Sequence, residues 1–219
     1  MADLAGHKTA TGLANQIVEH ISERVGADSP FIVGIAGPPG AGKTTLAKAL
    51  VVSLLHQGVS SVYVPMDGFH LADVELARLH LAQNKGAIET FDASGYVSLL
   101  KRIKHPDRFT VYAPSFERDL EQPIAGAIPI FPGTSVVVTE GNYLLCPDEP
   151  WAQIRGIADQ IWYCDVPVSL RRERLVARHI ASGKSPEAAV LWVQEVDEAN
   201  ARLVGEWASA ASAIIRQQI

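Results

Sequence analysis

The run Phe31-Ile32-Val33-Gly34-Ile35-Ala36 leads without a break into Gly37-Pro38-Pro39-Gly40-Ala41-Gly42-Lys43-Thr44. The first stretch is continuously apolar and of strand length, which suits a strand buried on both faces of a sheet. The second fits G-x-x-x-x-G-K-[ST] at every fixed position. Chance alone would give a chain of this length such a match on the order of one time in a hundred. The chemistry accounts for each residue type. Glycines let backbone N–H groups curl around phosphates without side-chain clashes. A helix expected over Thr44 to Gln57, closed by Gly58, aims its N-terminal donors at the same anion. Lys43 can reach β and γ phosphates, and the Thr44 hydroxyl can ligate Mg²⁺.

The rest of the chain repeats the alternation of short apolar runs and helical patterns. Further strands are expected at Val62-Tyr63-Val64, Ser135 to Thr139, Ile161 to Cys164 and Ala213-Ile214-Ile215. Helices are expected over Leu13–Val25, Leu71–Gln83, Tyr96–Ile103, Ser169–Ala181 and Pro186–Val204. Residues Phe109 to Pro132 are rich in proline and aromatics and read as irregular with short strands, a hairpin among them. Strands alternating with helices predict an α/β, three-layer domain around a mainly parallel five-stranded sheet. Residues 1–219 are expected to form a single domain, with 84–132 as an acceptor-binding insertion and 169–184 as a lid.

Composition excludes several classes. The chain has 219 residues, a formal net charge of -5 and pI about 5.8, so no general basic surface for nucleic acid is expected. No stretch reaches the roughly 18 apolar residues of a membrane span, and the polar N-terminus lacks a signal-peptide core. A cytoplasmic protein is expected. Cys146 and Cys164 lack metal-site spacing and sit among apolar residues, which predicts buried free thiols.

In a parallel sheet, ligands bind beyond the carboxyl ends of the strands. Asp67 and Glu140 follow two expected strands. Phosphoryl transfer to an alcohol needs a group to take the hydroxyl proton and an acid to hold Mg²⁺ or its waters. Asp67 suits the first role and Glu140, in the manner of a Walker-B acid, the second. Asp165 also follows a strand, with a turn role equally open. Arg171, Arg174 and Arg178 are spaced i, i+3 and i+7 and are expected to share one helical face over the phosphates. Gly183 offers that lid a hinge. Between the two acids lie His70, Lys85, Glu89, Phe91, Asp92, Tyr96, Arg108, Tyr112 and Arg118. Of these, His70 and Arg118 are the leading candidates for acceptor contact. A GTPase is disfavoured because Asn84-Lys85-Gly86-Ala87 lacks the aspartate that reads guanine. A transporter ATPase is disfavoured because Leu-Ser-Gly-Gly-Gln is absent.

Taken in order, Gly37 to Thr45, Val64 to His70, Lys85-Gly86-Ala87, Thr90-Phe91-Asp92, Tyr112 to Arg118, Thr139 to Leu145, and Arg174-Leu175 with Arg178 resemble the uridine kinase, phosphoribulokinase and bacterial pantothenate kinase superfamily. The resemblance covers about Phe31 to Val204. It implies a P-loop NTPase fold, ATP with Mg²⁺, and phosphorylation of a small-molecule hydroxyl. It makes Asp67 the base and Arg174 and Arg178 lid arginines, with Lys43 and Arg174 at the chemistry. It adds Thr45 to the nucleotide loop and Tyr143 to the acceptor side. Uridine kinases usually carry Ser-Phe-Tyr after the acid, where this chain has Gly68-Phe69-His70. That form looks like a bacterial subgroup of kinases, some encoded beside fructose transport systems, and points to a sugar such as fructose. The alternatives are a nucleoside or pantothenate-type acceptor, and a non-catalytic nucleotide sensor. A homodimer is the assembly left open.

Overall fold

A computed structural model describes residues 2–3, 9–23, 29–105 and 108–216. Its centre is the apolar run, now β2 (Phe31–Ala36), with all six residues buried. Around it stand β1 (Ala2–Asp3), β3 (Ser61–Pro65), β6 (Val136–Gly141), β7 (Gln160–Asp165) and β8 (Ala213–Arg216). They form one sheet in the order β1-β8-β7-β2-β6-β3, and every neighbouring pair is parallel. The five expected strands are all present, and Ala2–Asp3 adds a short sixth at the edge.

Alternation along β2 feeds two cores. Phe31, Val33 and Ile35 face α1 (Ala10–Ser22) and α2 (Lys43–His56), where Leu13, Ile17, Leu50 and Leu54 close one layer. Ile32 and Ala36 face the other layer, built by α4 (Ala93–Lys104), α5 (Ile154–Ile157) and α8 (Glu198–Glu206), with Tyr96, Leu100, Trp151 and Val204. Each fully buried aliphatic side chain contributes roughly 1.5–3 kcal/mol, so this doubly covered strand anchors the loop that follows it. Cys146 and Cys164 are buried and free.

The structure changes three expectations about helices. The expected end of the first helix, Val25, lies outside the described residues; the described helix stops at Ser22. The stretch Leu71–Gln83 is α-helical only in α3 (Asp73–Arg78), because the chain turns at His80 with φ 59°, and a 3₁₀ turn follows at Ala82–Asn84. The last long helix is α7 (Pro186–Trp192) joined to α8 through a π-turn at Val193–Asp197. The helix expected over Ser169–Ala181 is α6 (Val168–Ala181). The proline-rich segment is an antiparallel hairpin, β4 (Val111–Glu117) with β5 (Gln122–Ile130). Its register shifts between Ala113 and Ser115, at Pro114, which has no N–H to give to the ladder.

Candidate active site

The glycine loop emerges from β2 and is pressed against two neighbours. Gly37 and Gly40 have φ of 149° and 77°. A Cβ on Gly37 would lie 2.8 Å from the Cys164 carbonyl oxygen, and one on Gly40 2.8 Å from the Arg171 carbonyl oxygen. Only glycine fits where the loop meets the end of β7 and the underside of α6. Pro38 and Pro39 between these glycines, and Ala41 after them, are buried. Gly42 caps α2 with no side-chain hydrogen bond, so the first-turn donors of this 14-residue helix are left for an anion. Thr45 is exposed on that first turn. The Lys43 ammonium donates to the Pro38 carbonyl at 3.0 Å and to Asn142 Oδ1 at 2.7 Å. Burial pulls its pKa down, while Glu140 and Asp67 work against that.

The ends of β3 and β6 bring the two predicted acids to this loop. Glu140 is buried, and its Oε1 accepts from Thr44 Oγ1 at 3.0 Å and from the Tyr63 hydroxyl at 2.6 Å. Burial raises its pKa, and the charge of Asp67 adds to the rise; Lys43, Tyr63 and Thr44 oppose it. A hydroxyl and a carboxylate at one point suit Mg²⁺, which takes one or two protein oxygens and keeps waters and phosphate oxygens for the rest. Asp67 follows β3 in a short 3₁₀ turn, Met66–Phe69. Its side chain is 31% exposed, so a substrate can reach it. A Cβ on Gly68 would lie 2.5 Å from the Pro114 carbonyl oxygen, so the β4–β5 hairpin lies directly on the Asp67 turn.

The hairpin and the segment before α4 surround Asp67 with the expected acceptor residues. Arg118 Nη2 stands 3.7 Å from Asp67 Oδ2, with its side chain 56% exposed. His70 Nδ1 is 2.9 Å from the Asp67 carbonyl oxygen, which can only accept; Nδ1 is therefore the protonated nitrogen. The ring lies between Phe91 and Phe116, at centroid distances of 4.0 and 5.0 Å, and burial lowers its pKa. Neutral His70 thus presents Nε2 as an acceptor.

Other predicted residues sit elsewhere. Tyr143, expected to touch the acceptor, is fully buried, and its hydroxyl donates to the Gly86 carbonyl at 2.6 Å. Tyr96 is likewise buried, hydrogen-bonded to Thr139 at 2.6 Å. Asp92 caps α4 by accepting from the Gly95 amide, and Lys85 pairs with Asp73 at 2.7 Å. Arg108 and Tyr112 are exposed.

The arginine face divides. Arg174 and Arg178 are exposed; Arg174 lies near enough to Cys164, and Arg178 to Lys43, for their charges to act there. Arg171 departs from expectation. Its side chain is only 4% exposed, pairs with Glu198 and reaches the Pro39 carbonyl at 3.5 Å. Arg172 shares Glu198 at 2.9 Å. The π-turn before α8 also presents Asp197 to His179 at 2.7 Å. Tyr63, Asn142 and Glu198 therefore belong to the site's framework, and sequence patterning had given none of them a role. Only the position of Tyr63 and Asn142 near the strand ends hinted at it.

The chain is similar to a known family and to solved structures. The phosphoribulokinase / uridine kinase family model matches residues 32–217. The chain is 35% identical over 158 residues, 69% of its length and 67% of the relative's, to "Putative uridine kinase C227.14" of Schizosaccharomyces pombe. It is 35% identical over 133 residues, 57% of its length and 76% of the relative's, to the "ATP-dependent kinase-like protein notR'" of Aspergillus versicolor. Among solved structures, a "putative fructose transport system kinase" from Silicibacter sp. TM1040 superposes with TM-score 0.85 at 35% identity, over 95% of this chain and 99% of that one. With its loop, its strand-end acids and this match over most of its length, the chain belongs to the phosphoribulokinase / uridine kinase family of P-loop kinases, phosphotransferases that act on hydroxyl acceptors.

Proposed function

We propose that the protein transfers the γ-phosphoryl group of Mg-ATP to a hydroxyl of a small, hydroxyl-rich acceptor, a sugar such as fructose, in the cytoplasm. The observation that carries this reading is the convergence of an accessible carboxylate, Asp67, on a phosphate loop whose lysine and Thr44–Glu140 pair feel its charge. In this reading Asp67 accepts the proton of the acceptor hydroxyl as its oxygen bonds to the γ-phosphorus and the bond to the β-phosphate oxygen breaks. Lys43, Arg174 and Arg178 hold the transferring phosphoryl and stabilise its charge; Gly37 to Thr45 wrap the remaining phosphates. Thr44 and Glu140 hold Mg²⁺, which neutralises phosphate charge when bound. His70 Nε2 and Arg118 supply an acceptor and donors for further hydroxyls of the substrate. Residues 169–184 act as the lid and 84–132 as the acceptor-side insertion within one domain.

The sugar reading draws support from Gly68-Phe69-His70 and from the name carried by the Silicibacter structure. A nucleoside acceptor is the second reading, favoured by the name of the Schizosaccharomyces relative. The test is ADP release with Mg-ATP against fructose, other hexoses and pentoses, uridine, cytidine, nicotinamide riboside and pantothenate. Turnover that rises with one acceptor and falls by about 10²–10⁴ in Asp67→Asn, with nucleotide still bound, supports the assignment. Asp67→Asn turning over at the wild-type rate would remove the base. Nucleotide binding with no turnover on any acceptor would favour a sensor.

A further inference from the structure

Between the phosphate loop and the acceptor side run two hydrogen bonds joined through the consecutive residues Asn142 and Tyr143. The Lys43 ammonium donates to Asn142 Oδ1 at 2.7 Å. Tyr143 is the next residue along the chain, so the placing of Asn142 by Lys43 bears directly on the backbone that carries Tyr143. The Tyr143 hydroxyl in turn donates to the Gly86 carbonyl at 2.6 Å. Gly86 belongs to the acceptor-side segment. Its own amide donates to Thr90 Oγ1 at 3.0 Å, the Leu71 amide donates to the Thr90 carbonyl at 2.9 Å, and the Asp92 amide to the Phe69 carbonyl at 2.8 Å. Those last bonds tie the segment to the residues that follow Asp67. Tyr143 is fully buried, so no water can replace its partners without opening the core.

Lys43 is the end of this linkage that phosphates would engage. With two of its three donors on Asn142 and Pro38, the ammonium must give up at least one of those bonds to bind both a β and a γ phosphate oxygen. We propose that Asn142 and Tyr143 are positioning residues that couple the phosphate site to segment 84–92, so that nucleotide at Lys43 changes the order of the acceptor side. The coupling rests on the reading of Lys43 as a phosphate ligand. It predicts an effect that needs no acceptor, because Mg²⁺ with a non-hydrolysable ATP analogue, adenylyl imidodiphosphate, engages Lys43 and the rest of the phosphate site by itself.

The experiment is amide hydrogen exchange across 84–92 with and without that analogue, in wild type, Tyr143→Phe and Asn142→Ala, with binding followed by calorimetry. Tyr143→Phe removes only the last link and keeps the ring in the core. The expected result is an exchange-rate change of about fivefold or more at 84–92 in wild type, absent in both variants while they still bind the analogue. Wild type that binds the analogue without any change at 84–92 overturns the inference. A change that survives in either variant does the same, because the linkage then does not carry it. Wild type that fails to bind the analogue removes the phosphate-site reading itself, and the inference with it. That outcome is recognised by the absence of binding heat rather than by the exchange pattern.

Discussion

Glu198→Ala is the substitution whose cost the structure sets most sharply. Glu198 lies between an almost fully buried arginine and a largely exposed one: the side chains of Arg171 and Arg172 are 4% and 56% exposed. Removing the carboxylate leaves Arg171 charged, desolvated and held only by a 3.5 Å contact to the Pro39 carbonyl. Breaking a buried pair from one side costs about 3–5 kcal/mol, and for a chain of this size that lowers Tm by roughly 6–20 °C. Arg172→Ala, at the exposed end of the same carboxylate, should cost no more than about 1 kcal/mol. A double variant, Arg171→Met with Glu198→Leu, should recover most of the loss, because it leaves no buried charge. The assay is thermal and urea unfolding of all four proteins. It has a pH signature as well. Burial pushes the Glu198 carboxyl up, but the hydrogen bonds and charges of Arg172 and Arg171 outweigh that and hold it below the ordinary 4.5. A carboxyl whose folded pKa is depressed stabilises fully above its unfolded value and loses that contribution as pH falls through the folded one. Wild type and Glu198→Ala should therefore differ most at neutral pH, begin to converge as pH falls below 4.5, and meet once it has passed the depressed folded value. A Glu198→Ala protein that melts within about 1 kcal/mol of wild type at pH 7 would show that Arg171 is not buried as a charge, and the reasoning would fail.

Lys43→Ala should weaken nucleotide binding and lower turnover together, read by calorimetry and steady-state kinetics; normal affinity and rate would take the loop out of the mechanism. Glu140→Gln should leave Thr44 and Tyr63 an oxygen to donate to, yet weaken Mg²⁺-dependent nucleotide binding, visible as a higher Mg²⁺ requirement in the binding titration. Gly68→Ala places a methyl 2.5 Å from a backbone oxygen of the hairpin, so it should cost about 1–3 kcal/mol and lower kcat by lifting Pro114 off the Asp67 turn. An unchanged melting curve for that variant would argue against the close packing.

What the sequence made legible was local. The loop, the strand before it and the acids after β3 and β6 are recognisable because each is a contiguous pattern with its own chemistry. The residues misjudged are those whose environment is set by a partner far along the chain. Arg171 has the helical spacing of Arg174 and Arg178, but Glu198 lies 27 residues on, and periodicity does not report which turn of a helix will be covered. Tyr143 bonds a carbonyl 57 residues away, and Asn142 meets a lysine 99 residues away. Tyr96 was the exception: it shares the apolar face of Val97, Leu100 and Ile103, and that spacing alone marks it as core. The helix expected over Leu71–Gln83 failed for the opposite reason. Ala72, Leu76 and Leu79 carry helical spacing, but the chain leaves the helix at Arg78 so that Lys85 to Phe91 can return beside Asp67.

The strand order sets a timetable for the newborn chain. Phe31–Ala36 finds its two neighbours only in Val136–Gly141 and Gln160–Asp165, so the most apolar segment of the protein is made roughly a hundred residues before anything can pair with it. At about 5–20 residues per second of synthesis, that is an exposure on the order of 5–20 s. Through that interval the glycine loop has no floor from β7 and no roof from α6, and cannot hold its shape. Competence to bind nucleotide therefore arrives late and all at once, and an interrupted chain that stops short of residue 160 should surrender this strand to aggregation rather than persist as a half-built kinase.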